Sequence, residues 1–179
     1  AVATVGAPTV VASTPATSSA HMFWPSAVWT GTHYQLAWAD KRSGSFEAYG
    51  VRVDGTGRAI DTLARSLSTS RHSDMSARVA FDGSKAFLAW YAPSTATSYR
   101  VLGVHILPDG APEETAPLVL ATSQGSLVPS PAYTWMGDDA TYAVILPTFR
   151  DSLPAGTYET DVTMVWTNRN GIALDSSAV

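Results

Sequence analysis

"YQLAWADKRSGSFEAYGVRVDGTGR", residues 34–58, is the stretch that decides the fold of this chain. Apolar and polar residues alternate on both sides of a polar turn, and a second turn with two glycines closes the stretch. Alternation at period two, rich in Tyr, Trp and Val, is typical of half-buried β-strands. The stretch therefore predicts two paired strands, followed by a tight turn.

Fainter copies of this stretch follow twice along the chain. Gly31, Gly83 and Gly137 lie 52 and 54 residues apart, and each comes two positions after an aromatic residue. Five to seven positions after each glycine stand "LAW" (36–38), "LAW" (88–90) and "YAV" (142–144). Chance similarity within an all-β chain is the alternative, but ungapped matches at one spacing favour an internal repeat.

Each repeat is predicted to hold four short strands, in the first repeat at about residues 8–14, 25–30, 33–39 and 46–54. We place the repeats at residues 1–63, 64–116 and 117–179, forming one continuous domain. Repeats of this length with four strands each are typical of propeller blades. The predicted fold class is therefore all-β, with antiparallel four-stranded sheets repeated three times as β-propeller-like blades, in a partial or oligomer-completed propeller.

Turn chemistry supports this division. The sequence has "DG" at 54–55, "PDG" at 108–110 and "NG" at 170–171, where Gly or Asn can adopt positive φ. One segment competes, because Ile60, Leu63, Ala64 and Leu67 follow a helical stripe. We predict a strand at 64–70 and keep a short helical turn at 59–63 as the alternative.

Large aromatic residues recur at repeated positions and are predicted to pack between blades. Trp24 and Trp166 lie outside those repeated positions and are better candidates for a specific role. The residues predicted to pack are Trp29, Trp38, Phe81, Trp90 and Trp135.

Composition excludes several classes of function. The 179 residues are 45% hydrophobic and 15% charged, with a net charge of −4 and no basic run, so nucleic-acid binding is not expected. No apolar stretch reaches the roughly 18 residues of a membrane span. Cysteine is absent, which excludes disulfides and thiol chemistry.

The run "LAWADKRSGSFEAYGVRVDGTG" resembles the blades of repeat β-propellers in large secreted bacterial proteins. Those blades read W-x-D-x-R, then Y-G-x-R-V, then a closing glycine, and the first repeat matches them well. The second repeat keeps Trp90 and Gly103 but has "WYAP" where the first has "WADKR". The resemblance implies an extracellular or cell-surface binding, adhesive or scaffolding module.

Local motifs for chemistry are absent from the sequence. It has no G-x-S-x-G, no H-E-x-x-H and no phosphate-binding glycine loop. His33 and His105 are expected to be surface residues. Carboxylates beside glycine, as in "DGTG" and "MGDDAT", make calcium a weak possibility, but they are more simply turn residues. We expect no cofactor.

The predicted ligand-binding residues lie near the turns between second and third strands. Asp40 with Arg42, and Arg150 with Asp151, combine charges that orient hydroxyl groups, and Trp24 and Tyr91 offer stacking faces. The plainer interpretation is that these charges form ion pairs that fix the turns. No residue is assigned as catalytic.

These observations predict a non-enzymatic interaction or assembly module. A carbohydrate-binding lectin is the first alternative, and a propeller glycosidase or lyase fragment is the second. Three blades are too few to close a propeller. We therefore expect either self-association or a larger parent chain, with a glycan as a possible further partner.

Overall fold

The computed structural model describes residues 10, 21–68, 74–95, 98–124, 132–137, 141–149 and 160–178. Within these ranges the regular structure is all β, with no α-helix. No helix in the described ranges is long and apolar enough to cross a membrane. The predicted strand at 8–14 lies outside the described residues, apart from Val10.

Within the described residues, twelve strands follow one another along the chain. They are β1 (Met22–Trp29), β2 (Tyr34–Asp40), β3 (Glu47–Val53), β4 (Arg65–Ser66), β5 (Met75–Phe81), β6 (Ala86–Thr95), β7 (Ser98–Ile106), β8 (Leu118–Gln124), β9 (Ala132–Met136), β10 (Thr141–Phe149), β11 (Thr160–Asn168) and β12 (Ala173–Ala178).

The strands form three antiparallel four-stranded sheets, each in simple sequential order. Sheet 1 holds β1–β4, sheet 2 holds β5–β8 and sheet 3 holds β9–β12. Equivalent residues pair equivalently: Trp38 lies opposite Tyr49 in sheet 1, and Trp90 lies opposite Leu102 in sheet 2. The predicted fold class is confirmed.

The same turn closes the third strand of every sheet. The N–H groups of Gly57, Gly110 and Gly171 donate to the carbonyls of the residues three positions before them, at 2.8 to 3.0 Å. These glycines have φ of 87°, 83° and 72°, values that side chains with a Cβ rarely adopt. The repeated turn shows that the three sheets are copies of one unit.

The sheets pack face to face, with their first strands adjacent. β1 contacts β5, and β5 contacts β9, so these three strands form the inner edge of the array. At the first junction, Ala37, Ala48 and Leu67 of the sheet 1 unit meet a sheet 2 face that includes Trp90. At the second junction, the other face of sheet 2 meets Tyr142 and Val144 of sheet 3.

Sheets 1 and 2 each take their last strand from a segment that the predicted grouping gives to the following repeat. Segments 64–70 and 117–123 were placed at the start of a repeat, but β4 and β8 complete sheets 1 and 2. Of the described residues of the first segment, 64–68, those assigned to a strand are Arg65–Ser66. Residues 60–63 are bends after an isolated bridge between Val53 and Ala59, so the alternative helical turn does not form. The boundaries 1–63, 64–116 and 117–179 remain predictions for the sequence repeat.

The repeated tryptophans fall into two groups. Trp90 is buried between sheets 1 and 2, as predicted for packing between blades, whereas Trp38 is buried within sheet 1 against Tyr49, Val51 and Val53. Trp29 is 43% exposed and instead contacts Tyr34, with their ring centroids 4.8 Å apart. Trp29 stands at the end of an inner strand, where a neighbouring sheet covers less of its surface.

Candidate functional site

Two inner strands carry the same irregularity. β1 has a bulge between Phe23 and Ser26, and β5 has one between Met75 and Arg78. Trp24 and Ser76, at equivalent positions, have φ of 53° and 54°, the two positive values among the described non-glycine residues. Bulges and left-handed residues at sheet edges re-aim side chains and concentrate at functional sites. We call the end of the sheets that carries both bulges the bulge rim.

Aromatic rings cluster at the bulge rim. The Phe23 ring centroid lies 5.3 Å from that of Trp24 and 5.7 Å from that of Phe46, and His21 stacks on Phe23 at 5.8 Å. Phe23 is 42% exposed, and the Lys41 ammonium lies 5.7 Å from the centre of the Phe46 ring. Exposed rings with a cation beside them form a platform for a flat ligand with polar edges.

Sheets 1 and 2 are joined beside this platform. The N–H of Asp74 donates to the Phe46 carbonyl at 2.8 Å, and the Val79 N–H donates to the Ser26 hydroxyl at 3.1 Å. The Arg78 guanidinium reaches the Trp24 carbonyl at 3.5 Å. Asp74 is 1% exposed. These contacts place the carboxyl group of Asp74 and the guanidinium of Arg78 at the inner edge, near the aromatic rings.

Asp40 and Arg42 form the ion pair of the plainer interpretation. The guanidinium donates to Asp40 Oδ2 at 2.5 Å, as does Trp38 Nε1 at 3.1 Å, and the Arg42 N–H donates to Oδ1 at 2.9 Å. Burial raises the pKa of Asp40, but the hydrogen bonds from Arg42 and Trp38 outweigh burial and hold it below its usual value. Arg42 also lies over the Tyr49 ring at 4.4 Å. The pair fixes the β2–β3 turn.

The other predicted site residues are scattered. Trp24 lies in the aromatic cluster, whereas Tyr91 is fully buried at the second junction and stacks on Tyr99 at 4.9 Å. Arg150 and Asp151 lie outside the described residues. Ligand binding by these residues remains a prediction. Phe23, Phe46 and the carboxyl group of Asp74 were not among the predicted site residues, because no local sequence motif marks them.

The opposite rim holds polar cavities between sheets. One, of about 310 Å³, lies between sheets 2 and 3 and is lined by Asp82, Lys85, His105, Glu113, Glu114 and Arg169, among others. A second, of about 260 Å³, lies between sheets 1 and 2, and His33 is part of its wall.

The expectation that His33 and His105 are surface residues is wrong. They are 9% and 6% exposed, and His105 reaches the Arg169 carbonyl of the next blade. Burial lowers the pKa of His33, and the Arg52 charge lowers it further, whereas Asp61 raises it with a smaller effect. His33 is held by Thr30 and Thr32, whose hydroxyls lie 3.2 and 2.9 Å from Nδ1.

The fold is similar to that of a solved β-propeller enzyme. The structure of endo-arabinase from Bacteroides thetaiotaomicron matches with a TM-score of 0.61 and 13% sequence identity. The match covers 85% of this chain and 60% of the endo-arabinase, so the chain spans less than two thirds of that protein's length. No protein-family model matches the sequence, and no curated protein matches it.

This comparison corrects two expectations. The sequence predicts a non-enzymatic interaction or assembly module and no enzyme, whereas the solved structure reported above, which shares this fold, is an endo-arabinase. The lack of a local catalytic motif is therefore no ground for excluding an enzyme, because catalytic groups far apart in sequence can meet in one cleft. The resemblance to secreted repeat propellers stays a prediction, since no family model tests it.

Proposed function

We propose that the chain is part of a carbohydrate-active β-propeller that binds a polysaccharide at the bulge rim and hydrolyses its glycosidic bonds. The fold similarity to an endo-arabinase supports this class of activity. The observation that carries the proposal is the pair of equivalent bulges at Trp24 and Ser76 beside a partly exposed aromatic platform.

The platform and the charges have separate tasks in this proposal. Phe23 and Phe46 offer ring faces to the apolar faces of sugar rings, and Lys41 and Arg78 donate hydrogen bonds to hydroxyls. Glycoside hydrolysis uses two carboxyl groups that flank the scissile bond. Asp74 is proposed as one of them, because it is a buried carboxyl group at the end of an inner strand next to the strained Ser76.

The second carboxyl group is proposed to be Asp151. The sequence places it two positions after Phe149, the last residue of β10. Asp40 itself is unsuited to proton transfer, because Arg42, the Trp38 indole and a backbone N–H already occupy its carboxylate.

We also propose where the protein acts and what covers the outer faces of its three blades. A polysaccharide-degrading propeller acts outside the cell or on its surface, where its substrate is found. Three blades leave two outer faces, which a second copy or further blades of a longer parent chain would cover.

Polysaccharide binding and cleavage by the purified chain test the proposal. The panel includes linear arabinan, and the measurements are retardation in affinity gels and release of reducing ends. We expect Phe23→Ala to weaken binding about tenfold or more, whereas Trp29→Ala, which removes a similarly exposed ring on the opposite rim, leaves it unchanged. Asp74→Asn should stop cleavage and retain binding, with the fold checked by circular dichroism.

The aromatic platform by itself also favours a lectin-like function, which the same experiment distinguishes. Binding that Phe23→Ala abolishes, without cleavage of any substrate in the panel, would support a lectin and remove the hydrolytic part of the proposal. Binding that is equally strong in Phe23→Ala and Trp29→Ala would contradict the site altogether.

A further inference from the structure

The rim opposite the bulges carries a contact between blades that is built twice with different residues. In sheet 1, the backbone N–H of Arg52 donates to Asp61 Oδ2 at 2.7 Å. In sheet 2, the backbone N–H of His105 donates to Glu114 Oε2 at the same distance. Each side chain then reaches across to a backbone carbonyl of the next sheet's turn: Arg52 to Pro108 at 2.8 Å, and His105 to Arg169 at 2.6 Å.

The two contacts differ in the side chain that faces the carboxylate, which belongs to Asp61 in sheet 1 and to Glu114 in sheet 2. Arg52 brings a permanent positive charge and donates to Asp61 Oδ1 at 2.6 Å from Nη2 and 3.1 Å from Nε. His105 cannot do so unaided. Its Nε2 lies 2.6 Å from the Arg169 carbonyl oxygen, and its other nitrogen, Nδ1, faces Glu114 Oε1 at short distance. A cation bound between Nδ1 and the carboxylate would supply the charge that Arg52 supplies in sheet 1.

A third ligand-type residue is added in sheet 2 only. The N–H of Ile60 donates to the Arg52 carbonyl, and the N–H of Glu113 donates to the His105 carbonyl, both at 2.9 Å, so Ile60 and Glu113 occupy equivalent positions. One nitrogen of His105 and one oxygen each of Glu113 and Glu114 lie within 4.8 Å of one another. Sheet 1 has an arginine and an isoleucine where sheet 2 has two potential metal ligands.

We propose that His105, Glu113 and Glu114 form a binding site for a divalent transition-metal ion of the zinc type. Imidazole and carboxylate ligands suit Zn²⁺, which in open sites takes three protein ligands and a water. Bonds of about 2.1 Å in tetrahedral geometry put ligand atoms roughly 3.4 Å apart, so small side-chain movements bring the three atoms into place. The bond from Nε2 to a backbone carbonyl is the support that metal-binding histidines commonly have.

A separate observation concerns a buried hydroxyl group that is influenced by two charged residues of the cavity wall. Tyr142 is fully buried, and its hydroxyl has no hydrogen-bond partner among the described residues. Burial and the Asp82 charge raise the pKa of Tyr142 whereas Arg169 lowers it, so this hydroxyl lies near two residues of the cavity wall. Buried polar atoms rarely lack a partner, and water carried by a bound ion would supply one.

The present partner of Glu113 does not prevent metal binding. Lys85 Nζ donates to both Glu113 oxygens, at 2.7 and 2.6 Å, but both side chains are more than a third exposed. Exposed pairs of this kind contribute about 0–1 kcal/mol, so Lys85 can turn to solvent when an ion takes its place. The cavity of about 310 Å³ leaves room for the water in the fourth position.

Zinc binding to the full chain, freed of metal by chelation and dialysis, tests the site. Calorimetric titration with Zn²⁺ should show one ion per chain at the site, and Ca²⁺, which prefers all-oxygen ligands, should bind at least tenfold more weakly. The triple variant His105→Arg, Glu113→Ile, Glu114→Asp installs the residues of sheet 1. It should keep the fold, since an arginine makes the equivalent bridge there, and lose zinc binding at least tenfold.

Two single variants complete the experiment. Glu113→Gln should weaken zinc binding about tenfold or more. His33→Gln is the control: His33 lies on the same rim but is not part of the ligand cluster, so zinc binding should be unchanged. Zinc binding of equal strength in the wild-type chain and the triple variant would overturn the site as adventitious binding elsewhere. A wild-type chain that binds no zinc would overturn the proposal.

Discussion

The first and second junctions join the same kinds of sheet with different chemistry. At the first junction, small and aliphatic residues surround Trp90, and an Arg52–Asp61 pair bridges the rim. The second junction is aromatic: the Phe87 ring lies 5.1 Å from Tyr142 and 4.6 Å from His105, which takes the place of Arg52. The repeated backbone therefore sets where blades touch, whereas the side chains decide whether the junction is aliphatic or aromatic and which charged groups line its rim.

The largest effects are expected from the two large side chains that β6 sends to opposite faces. Trp90→Ala at the first junction and Phe87→Ala at the second should each lower the free energy of unfolding by about 3–5 kcal/mol, because both side chains are fully buried. Denaturant unfolding measures both, with Trp29→Ala as an exposed control. A loss below about 1 kcal/mol in either buried variant would show that its junction does not form.

The next effects come from two equivalent glycines that allow close approach. A Cβ at Gly50 would lie 2.7 Å from the Leu36 carbonyl oxygen, and one at Gly103 would lie 2.6 Å from Phe87 Cζ. Gly50→Ala and Gly103→Ala should each cost about 1–3 kcal/mol in unfolding free energy. Phe87→Leu should relieve part of the Gly103→Ala cost and none of the Gly50→Ala cost, because the obstacle at Gly50 includes backbone. Equal relief of both would contradict the assignment of the glycines to different junctions.

Acid should weaken the first junction through Asp61. Burial raises its pKa, but the Arg52 hydrogen bonds outweigh burial and lower the pKa below the ordinary value of about 3.9. The resulting stabilisation is fully present above that value and is lost as the pH falls through the lower folded-state pKa. Asp61→Asn should therefore cost about 1.5–3 kcal/mol at pH 7, and less as the pH approaches 3.

Unfolding in urea at several pH values measures the difference between the wild-type chain and Asp61→Asn. In an Arg52→Met background, the same substitution should have little further effect, because the guanidinium is already missing and an asparagine oxygen can still accept the backbone N–H of residue 52. A difference that stays constant from pH 7 to pH 3 would mean that the pair does not form.

The smallest effect is expected at the surface of the second junction. Lys85→Met removes the exposed pair with Glu113 and should change the free energy of unfolding by less than about 1 kcal/mol. A loss of 2 kcal/mol or more in thermal or urea unfolding would show that this pair stabilises the sheet 2 blade more than its exposure indicates.

Much of the blade could be predicted from sequence because its signals are local. The turns at 54–57, 107–110 and 168–171 were marked by Gly, Asp and Asn, and the strands between them by alternation. Which sheet a strand joins is not a local property. The segments at 64–70 and 117–123 were therefore assigned to the following repeat, although β4 and β8 pair with the strand before them.

The candidate site was harder to predict for the same reason. Asp40 and Arg42 are two positions apart, so their ion pair could be anticipated. The burial of His105 depends on the Arg169 carbonyl, 64 residues away, and no single stretch of sequence shows it. The bulges at Trp24 and Ser76 contain no glycine to mark their positive φ, so the platform they position was found only in the structure.

Residue-resolved hydrogen exchange tests most directly the claim that sheet 2 is a blade covered on both faces by its neighbours. The amides of Leu88, Trp90 and Val104, in β6 and β7, should exchange slowest and at rates that report global unfolding, while those of β12 exchange through smaller, local openings. Protection in β6 and β7 no greater than that in β12 would contradict the account.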